Sequence, residues 1–390
     1  MRQPVHTVFG GAQIFRSDVV EKFRELSLQS LANFAPDAST FASAFGFSDA
    51  QHAAAVYARV REKLLREPVE DYRIDFEDGY GVRSDEEEDS HAVAAAKEVA
   101  AGLAAGSLPW RLGIRVKSMS AHERDRALRT LRLFLSTLLT AEKKLPPNFV
   151  VTIPKITTVD EVAQFAAALA AFEREFGLDE NALKFDVMIE TPQIVLGADG
   201  RSPLPQLVDA GGERLIAAVF GGYDFTAGLG ITAAHQGLRH ASCDFARNMM
   251  LVAFAGTHVR VSDGATAVLP IAPDAPAVHA AWKINYDNVR HSLVSGFYQG
   301  WDLHPAQLVS RYAATFSFFL EGLDAAGARL KNFVAKSAQA TRVGTAFDDA
   351  ATGRGLVNYF QRAVSSGAIT EKEAFEKTGL TTAELREIFA

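Results

Sequence analysis

The chain has one cysteine, Cys243, in 390 residues. That excludes an intrachain disulfide and a zinc site built from thiolates. It lacks a basic excess. The formal net charge is −7, and no Lys/Arg stripe offsets it, which argues against nucleic acid as a partner. No apolar run approaches the roughly 20 residues of a membrane-spanning helix. The opening Met1-Arg2-Gln3-Pro4 leads into polar sequence, not into the apolar stretch of a secretion signal. Also missing is the Gly-rich phosphate turn that follows the first strand of a dinucleotide-binding fold. These absences lead us to expect a cytoplasmic chain without membrane or nucleic-acid partners. At 48% hydrophobic, it has enough apolar sequence for one large core with a satellite.

What is present is a rhythm. After the run Thr7-Val8-Phe9-Gly10-Gly11, helical patterns cover residues near 17–32 and 49–66. Strand-like runs then sit near 72–77, 111–117, 148–155, 184–190, 214–220, 257–262 and 297–302. Helical patterns near 85–105, 121–141, 158–176, 203–210, 240–255 and 276–294 alternate with them. Strands alternating with helices imply right-handed crossovers and a parallel sheet. Eight such strands close a barrel. The expectation is a (β/α)8 TIM barrel over residues 1–330, with a small helical C-terminal extension, 331–390, serving as a lid or oligomerisation segment.

Period-two alternation gives the strands two faces. In Leu112-Gly113-Ile114-Arg115-Val116-Lys117, the apolar face is Leu112, Ile114 and Val116, and Arg115 lies opposite. In Arg73-Ile74-Asp75-Phe76-Glu77 the acids share one face, and in the run from Phe185 the second face is Asp186, Met188 and Glu190. A charged inner face at strand carboxyl ends is what the mouth of a barrel enzyme requires. Asp75, Glu77, Arg115, Glu190 and Asp224 should converge there. A buried strand that ends in an acid has few structural uses for it, whereas a divalent cation gives it one. Glu190, after Val187-Met188-Ile189, and Asp224, after Val219-Phe220-Gly221-Gly222-Tyr223, are expected to hold Mg2+, with Mn2+ as a substitute. The plainer reading makes each a helix cap or a lysine partner.

Several segments resemble, in order, the citrate lyase β subunit/malyl-CoA lyase group (the HpcH/HpaI aldolase/citrate lyase family) of the phosphoenolpyruvate/pyruvate-type barrels. They are Asp75-Phe76-Glu77-Asp78-Gly79, Ile114-Arg115-Val116, Ile153-Pro154-Lys155, Ile189-Glu190-Thr191, the loop Gly222 to Gly230, and Leu303-His304-Pro305-Ala306-Gln307-Leu308. The chain departs from the group in Gly197-Ala198-Asp199-Gly200-Arg201-Ser202-Pro203, which reads as an added turn, and in Lys117, where the group has Asn. It also has Glu77-Asp78 where keto-acid aldolases carry a histidine, so no histidine base transfers.

The resemblance implies a Mg2+-dependent carbon–carbon lyase. Its substrate would be a hydroxy acyl-CoA or a hydroxy keto acid, cleaved beside a carbonyl to leave an enolate whose oxyanion the cation stabilises. It also implies a homo-oligomer. A CoA-independent 2-keto-3-deoxy acid aldolase, a malate synthase-like condensing enzyme and a catalytically silent metabolite-binding barrel remain open alternatives.

Arg115 suits a substrate carboxylate or keto oxygen through its fork of donors, or a buried ion pair with Asp75 or Glu77, or both. Asp75, Glu77 and Asp78 would order Arg115 and metal waters. Lys155 would order carboxylates, with Schiff-base chemistry the lesser reading. The amides of Gly221 and Gly222 would approach the substrate carboxylate, or simply form a turn. In the malyl-CoA lyase group an aspartate from a neighbouring subunit's C-terminal region reaches the site. Val343-Gly344-Thr345-Ala346-Phe347-Asp348 resembles that region, which makes Asp348 the expected proton carrier, against a helix N-cap. Other conspicuous features read as structural: the Asp85 to Asp89 run behind Ser84 is a capping box, and Phe316, Phe318 and Phe319 are core. His235 and His240 read as unliganded loop residues.

Overall fold

The computed structural model describes residues 2–337 and 350–387. Asp348 therefore lies outside the described residues. Eight parallel strands run in the order β7-β6-β5-β4-β3-β2-β1-β8. They are β1 His6–Gly11, β2 Asp71–Asp75, β3 Arg111–Arg115, β4 Val150–Ile153, β5 Lys184–Ile189, β6 Leu215–Phe220, β7 Arg260–Ser262 and β8 Gly300–Asp302. Each expected strand is present. The sheet closes between β7 and β8 through irregular backbone, where Asp263 N–H donates to the Gln299 carbonyl at 2.8 Å and Trp301 N–H to that of Gly264 at 3.3 Å.

The outward strand faces make the main core. Tyr72, Ile74, Leu112, Ile114, Val151, Ile153, Phe185, Val187 and Ile189 are buried against the surrounding helices. The inward faces are polar. Arg73 lies inside the barrel, paired with Asp71 and, at 2.8 Å, with Asp186, while its Nε donates to Thr152 Oγ1 at 3.0 Å. Gly113 lies beside that side chain: a Cβ there would meet the Val150 carbonyl oxygen at 1.8 Å and Arg73 Cδ at 3.2 Å.

The helices begin and end where local chemistry dictates. Helix Asp85–Ala105 starts on the Ser84/Glu87 capping box and stops at Gly106, which adopts a left-handed conformation with φ 65°. Helix Val159–Phe176 repeats the device with Thr158 and Glu161. His240 caps helix Ala241–Phe254 by accepting from the Ser242 amide at 3.1 Å, so its role here is structural. The Gly197–Pro203 insertion is a tight turn, closed by Gly197 N–H to the Arg201 carbonyl at 2.8 Å. Helix Ala38–Phe45, between Pro36 and Gly46, was not expected from the apolar pattern.

The boundary expected at 330/331 falls inside helix Leu323–Ser337, so the extension joins the barrel through a helix and not a linker. Helix Ala350–Ser365 packs at the amino ends of the strands. Arg362 there donates to the side chain of Gln3, which precedes β1, and lies 4.9 Å from the ring of Tyr298, which precedes β8. Within one chain, the described part of the extension closes the floor of the barrel, opposite its mouth. No helix among the described residues is long and apolar enough to cross a membrane.

Candidate active site

Each expected site residue in the described part of the chain stands at the carboxyl end of its strand. Asp75 ends β2 and Arg115 ends β3 at the same level of the sheet, since the two are register partners. Arg115 donates from Nε to Asp75 Oδ1 at 2.7 Å and from Nη2 to Oδ2 at 2.5 Å, a bidentate pair. Its Nη1 lies 3.1 Å from Glu77 Oε2 and 3.4 Å from Met188 Sδ. The guanidinium sits over the rings of Phe9, at 4.8 Å, and Trp301, at 5.4 Å. It is buried, and it is both ion pair and barrel plug. Its Nη1 is the edge not taken by Asp75, and it is shared by Glu77 and Met188. Asp75 is fully used: besides Arg115 it accepts from the amides of Glu77, at 3.0 Å, and Gly79, at 2.8 Å, which folds the loop after β2 back over the pair.

Lys155 follows β4 with a left-handed φ of 52°. That unusual backbone turns its amide towards Glu190, donating to Oε1 at 2.6 Å, while the side chain reaches Glu77 and, at 2.7 Å, Asp78. Its Nζ also stands 3.9 Å from Asp224 Oδ1. One residue thus ties together Glu77, Asp78, Glu190 and Asp224. Burial disfavours the Lys155 ammonium, but the adjoining Asp78 and Glu77 carboxylates outweigh it and raise its pKa. A Schiff-base lysine needs the opposite shift, so its reading as an organiser of carboxylates is the one the geometry favours.

Glu190, just past β5, is buried, and Asp224, in the first turn of helix Gly222–Gly228, is half-exposed. Burial raises the Glu190 carboxyl; Arg115 opposes this, nearby Asp224 and Glu77 add to it, and the result is a pKa of about 8. Room for this carboxylate comes from Gly221, where a Cβ would fall 2.3 Å from Glu190 Oε2. The Gly221 amide, expected to face substrate, instead donates to the Ile189 carbonyl at 3.0 Å. Glycine is needed there for its missing side chain, and a substrate contact from that amide is ruled out by its existing bond. Gly222 is buried beside Leu238 and Cys243 at the start of the helix.

Asp75, Glu77, Asp78, Glu190 and Asp224 thus gather around two cations, Arg115 and Lys155. Such an excess of carboxylate calls for a further positive charge. Among the described residues no three Asp, Glu, His or Cys side chains form a cation cage. Two carboxylates, Glu190 and Asp224, are the protein oxygens that could hold a hard divalent ion, with water and substrate oxygens completing it.

Phe9, Trp301 and Met188 line the site without having been singled out in the sequence; alternation put Met188 on the inner face, but an inward aromatic reads as core. The His304-Pro305-x-Gln307 motif proves to be a brace. Gln307 Oε1 accepts from the amides of Leu303, at 2.8 Å, and His304, at 3.2 Å. Its Nε2 donates to the carbonyls of Thr266, at 2.8 Å, and Val268, at 3.2 Å, joining the loops after β8 and β7.

A family described as a domain of unknown function, DUF6986, matches residues 1–390. Among curated proteins, the L-malyl-CoA/beta-methylmalyl-CoA lyase of Haloarcula marismortui is 38% identical over 78 residues, covering 20% of this chain and 21% of that protein. Similar solved structures include a citrate lyase from Burkholderia xenovorans, with TM-score 0.62 and 18% identity over 96% of each chain. The Mycobacterium tuberculosis CitE protein, solved with magnesium, acetoacetate and coenzyme A, gives TM-score 0.52 and 15% identity over 92% of this chain and 97% of that one. Malate synthase of Haloferax volcanii gives 0.51 and 16% over 98% and 96%. The barrel expected from sequence, and its likeness to the citrate lyase β subunit/malyl-CoA lyase group, are borne out at the level of fold.

Proposed function

We propose, for a chain that belongs along its whole length to the DUF6986 family, a Mg2+-dependent carbon–carbon lyase acting on a hydroxy acyl-CoA or hydroxy keto acid. One observation carries this reading: Glu190 and Asp224, from adjacent strand ends of the barrel, meet around Lys155 in a cluster short of positive charge. The thioester form of the substrate draws support from the local likeness to the Haloarcula lyase, and magnesium from the ion named with the CitE structure.

When bound, the cation supplies positive charge where an oxyanion develops beside the breaking bond. The chain's own residues do the rest. Asp75 fixes the Arg115 guanidinium in one plane, leaving Nη1, now beside Glu77, as the donor that would take a substrate carboxylate or carbonyl oxygen. Lys155 holds Glu77 and Asp78 in place and keeps its proton throughout. Phe9 and Trp301 exclude water from the far side of Arg115, which strengthens its field at the substrate. Proton transfer at the substrate hydroxyl falls to Asp348, brought by a neighbouring subunit of a homo-oligomer, with Glu77 the carboxyl of this chain that pairs with both Arg115 and Lys155.

The test is a substrate panel of 3-hydroxy acyl thioesters and 4-hydroxy-2-keto acids, assayed for glyoxylate, pyruvate or oxaloacetate. Turnover abolished by EDTA and restored by Mg2+ is expected, and lost in Glu190→Ala and Asp224→Ala without loss of fold. Thermal stabilisation by Mg2+ that persists in either variant would remove that residue from the cation site. Asp348→Asn should keep substrate binding and lose turnover, at least tenfold in kcat; wild-type kcat in that variant would assign proton transfer elsewhere.

A further inference from the structure

The floor of the barrel holds a second concentration of charge, opposite in sign to the mouth. Between the amino ends of the strands and helices Ala350–Ser365 and Thr382–Glu387 lies a cavity of about 810 Å³. Arg2, Lys63, Arg66, Arg260, Arg362 and Arg386 line it, and Glu67 is the one acid among its described lining residues. Glu67, with buried Glu70 behind it, is taken up by Arg2 and Lys63 at 2.5–2.9 Å.

Arg260 and Arg362 are differently placed. Arg260 donates to the Arg2 carbonyl at 3.1 Å and Arg362 to the Gln3 side chain, and neither pairs with a carboxylate among the described residues. Burial, with Arg111 close by, pushes Arg260 down to about 10, and burial lowers Arg362 as well. Both guanidiniums are partly buried, and Asp71 and Asp186 act on Arg260 only at a distance; neither arginine donates to a carboxylate, so each keeps donors for an anion from outside. Their planar donor forks suit phosphate oxygens. The same two arginines also line an adjoining cavity of about 440 Å³, whose other walls include Leu251, Phe254, Val259 and Tyr298. The two cavities share Gln3, Arg260, Asn358 and Arg362, so the arginines stand between a cationic chamber and an annex with one apolar wall.

We propose that this floor cavity binds a phosphate ester with an aromatic or apolar body, its phosphates on Arg260 and Arg362 and its body in the apolar annex. A nucleoside diphosphate has this chemistry. The site lies across the barrel from the carboxylate cluster and does not depend on the reaction proposed there.

Calorimetric titration of the full-length protein at constant ionic strength, with ADP, pyrophosphate and adenosine, tests it. ADP should bind one per chain, pyrophosphate at least tenfold more weakly, and adenosine not measurably. The double variant Arg260→Gln/Arg362→Gln should lose at least tenfold in ADP affinity while remaining folded by circular dichroism. Arg386→Gln, at an exposed position, should weaken ADP several-fold and serves if the double variant does not fold. Glu190→Ala/Asp224→Ala should leave ADP binding intact. The proposal fails if wild type does not bind ADP, if the arginine variants bind it unchanged, or if the Glu190→Ala/Asp224→Ala variant loses it, which would place the nucleotide at the mouth. Pyrophosphate binding as tight as ADP would overturn the role given to the annex.

Discussion

Glu190 shows how function is bought at this site. Its carboxyl is buried beside Asp224 and Glu77, and burial with those charges raises its pKa from 4.5 to about 8. The folded protein therefore holds this proton more firmly than the unfolded chain does. Stability from this group is complete below pH about 4.5 and is lost as pH rises towards 8, at about 1.4 kcal/mol for each unit between the two values. Glu190→Gln, which keeps an oxygen for the Lys155 amide, should accordingly melt higher than wild type at pH 8 in EDTA. The two should converge near pH 4, and saturating Mg2+ should raise the wild type alone. A variant no more stable than wild type at pH 8 would show that the acid is not under electrostatic stress. Glu190, Asp224 and Arg115 were legible in the sequence because an acid or arginine ending an apolar strand has few other uses. Phe9 and Trp301 were not, because their packing on Arg115 depends on β1 and β8 meeting, and nothing local encodes that closure.

At the scale of elements, strand-like runs between helical patterns placed every strand, including β7 and β8 of three residues each. The bends between them were harder to read. Helix Ala38–Phe45 carries a clear Asp37 cap and a left-handed Gly46, but its eight residues are too short for helical periodicity to show. The Gln307 motif was read as a mark of resemblance, whereas its work is mechanical: one amide side chain satisfies four backbone groups across two loops. Removing it leaves buried donors and acceptors unpaired, at about 1–3 kcal/mol for each group that water does not reach. Gln307→Ala should therefore lower the thermal midpoint by several degrees, and Gln307→Glu, which keeps the acceptor and loses the donors, should fall between. Equal melting of all three would mean that the barrel closes without the brace.

Across the whole molecule, charge is arranged along the barrel axis. Carboxylates crowd the mouth, Arg73 with Asp71 and Asp186 fills the middle, and Arg260 and Arg362 stand at the floor. Such an interior cannot hold the barrel together as an apolar one would, so cohesion rests on the outer core and on what seals the floor. Leu356, Val357, Phe360 and Ile369 of the extension are buried there, continuous with Phe316, Phe319 and Leu330. At about 1.5–3 kcal/mol gross for each large apolar side chain, losing this layer removes an amount comparable to a typical domain's whole margin of about 5–15 kcal/mol. The extension is thus expected to be part of the folding unit, whatever it also contributes to a neighbouring subunit through Asp348. Truncation after Asp349 separates the two roles, because it keeps that aspartate and deletes the floor. The truncated chain should melt at least 10 °C lower than wild type or fail to accumulate as folded protein, and urea should unfold the full-length chain in one transition that includes the extension. Truncation with unchanged melting would make these helices an independent appendage, and would leave the polar barrel stable on its outer core alone.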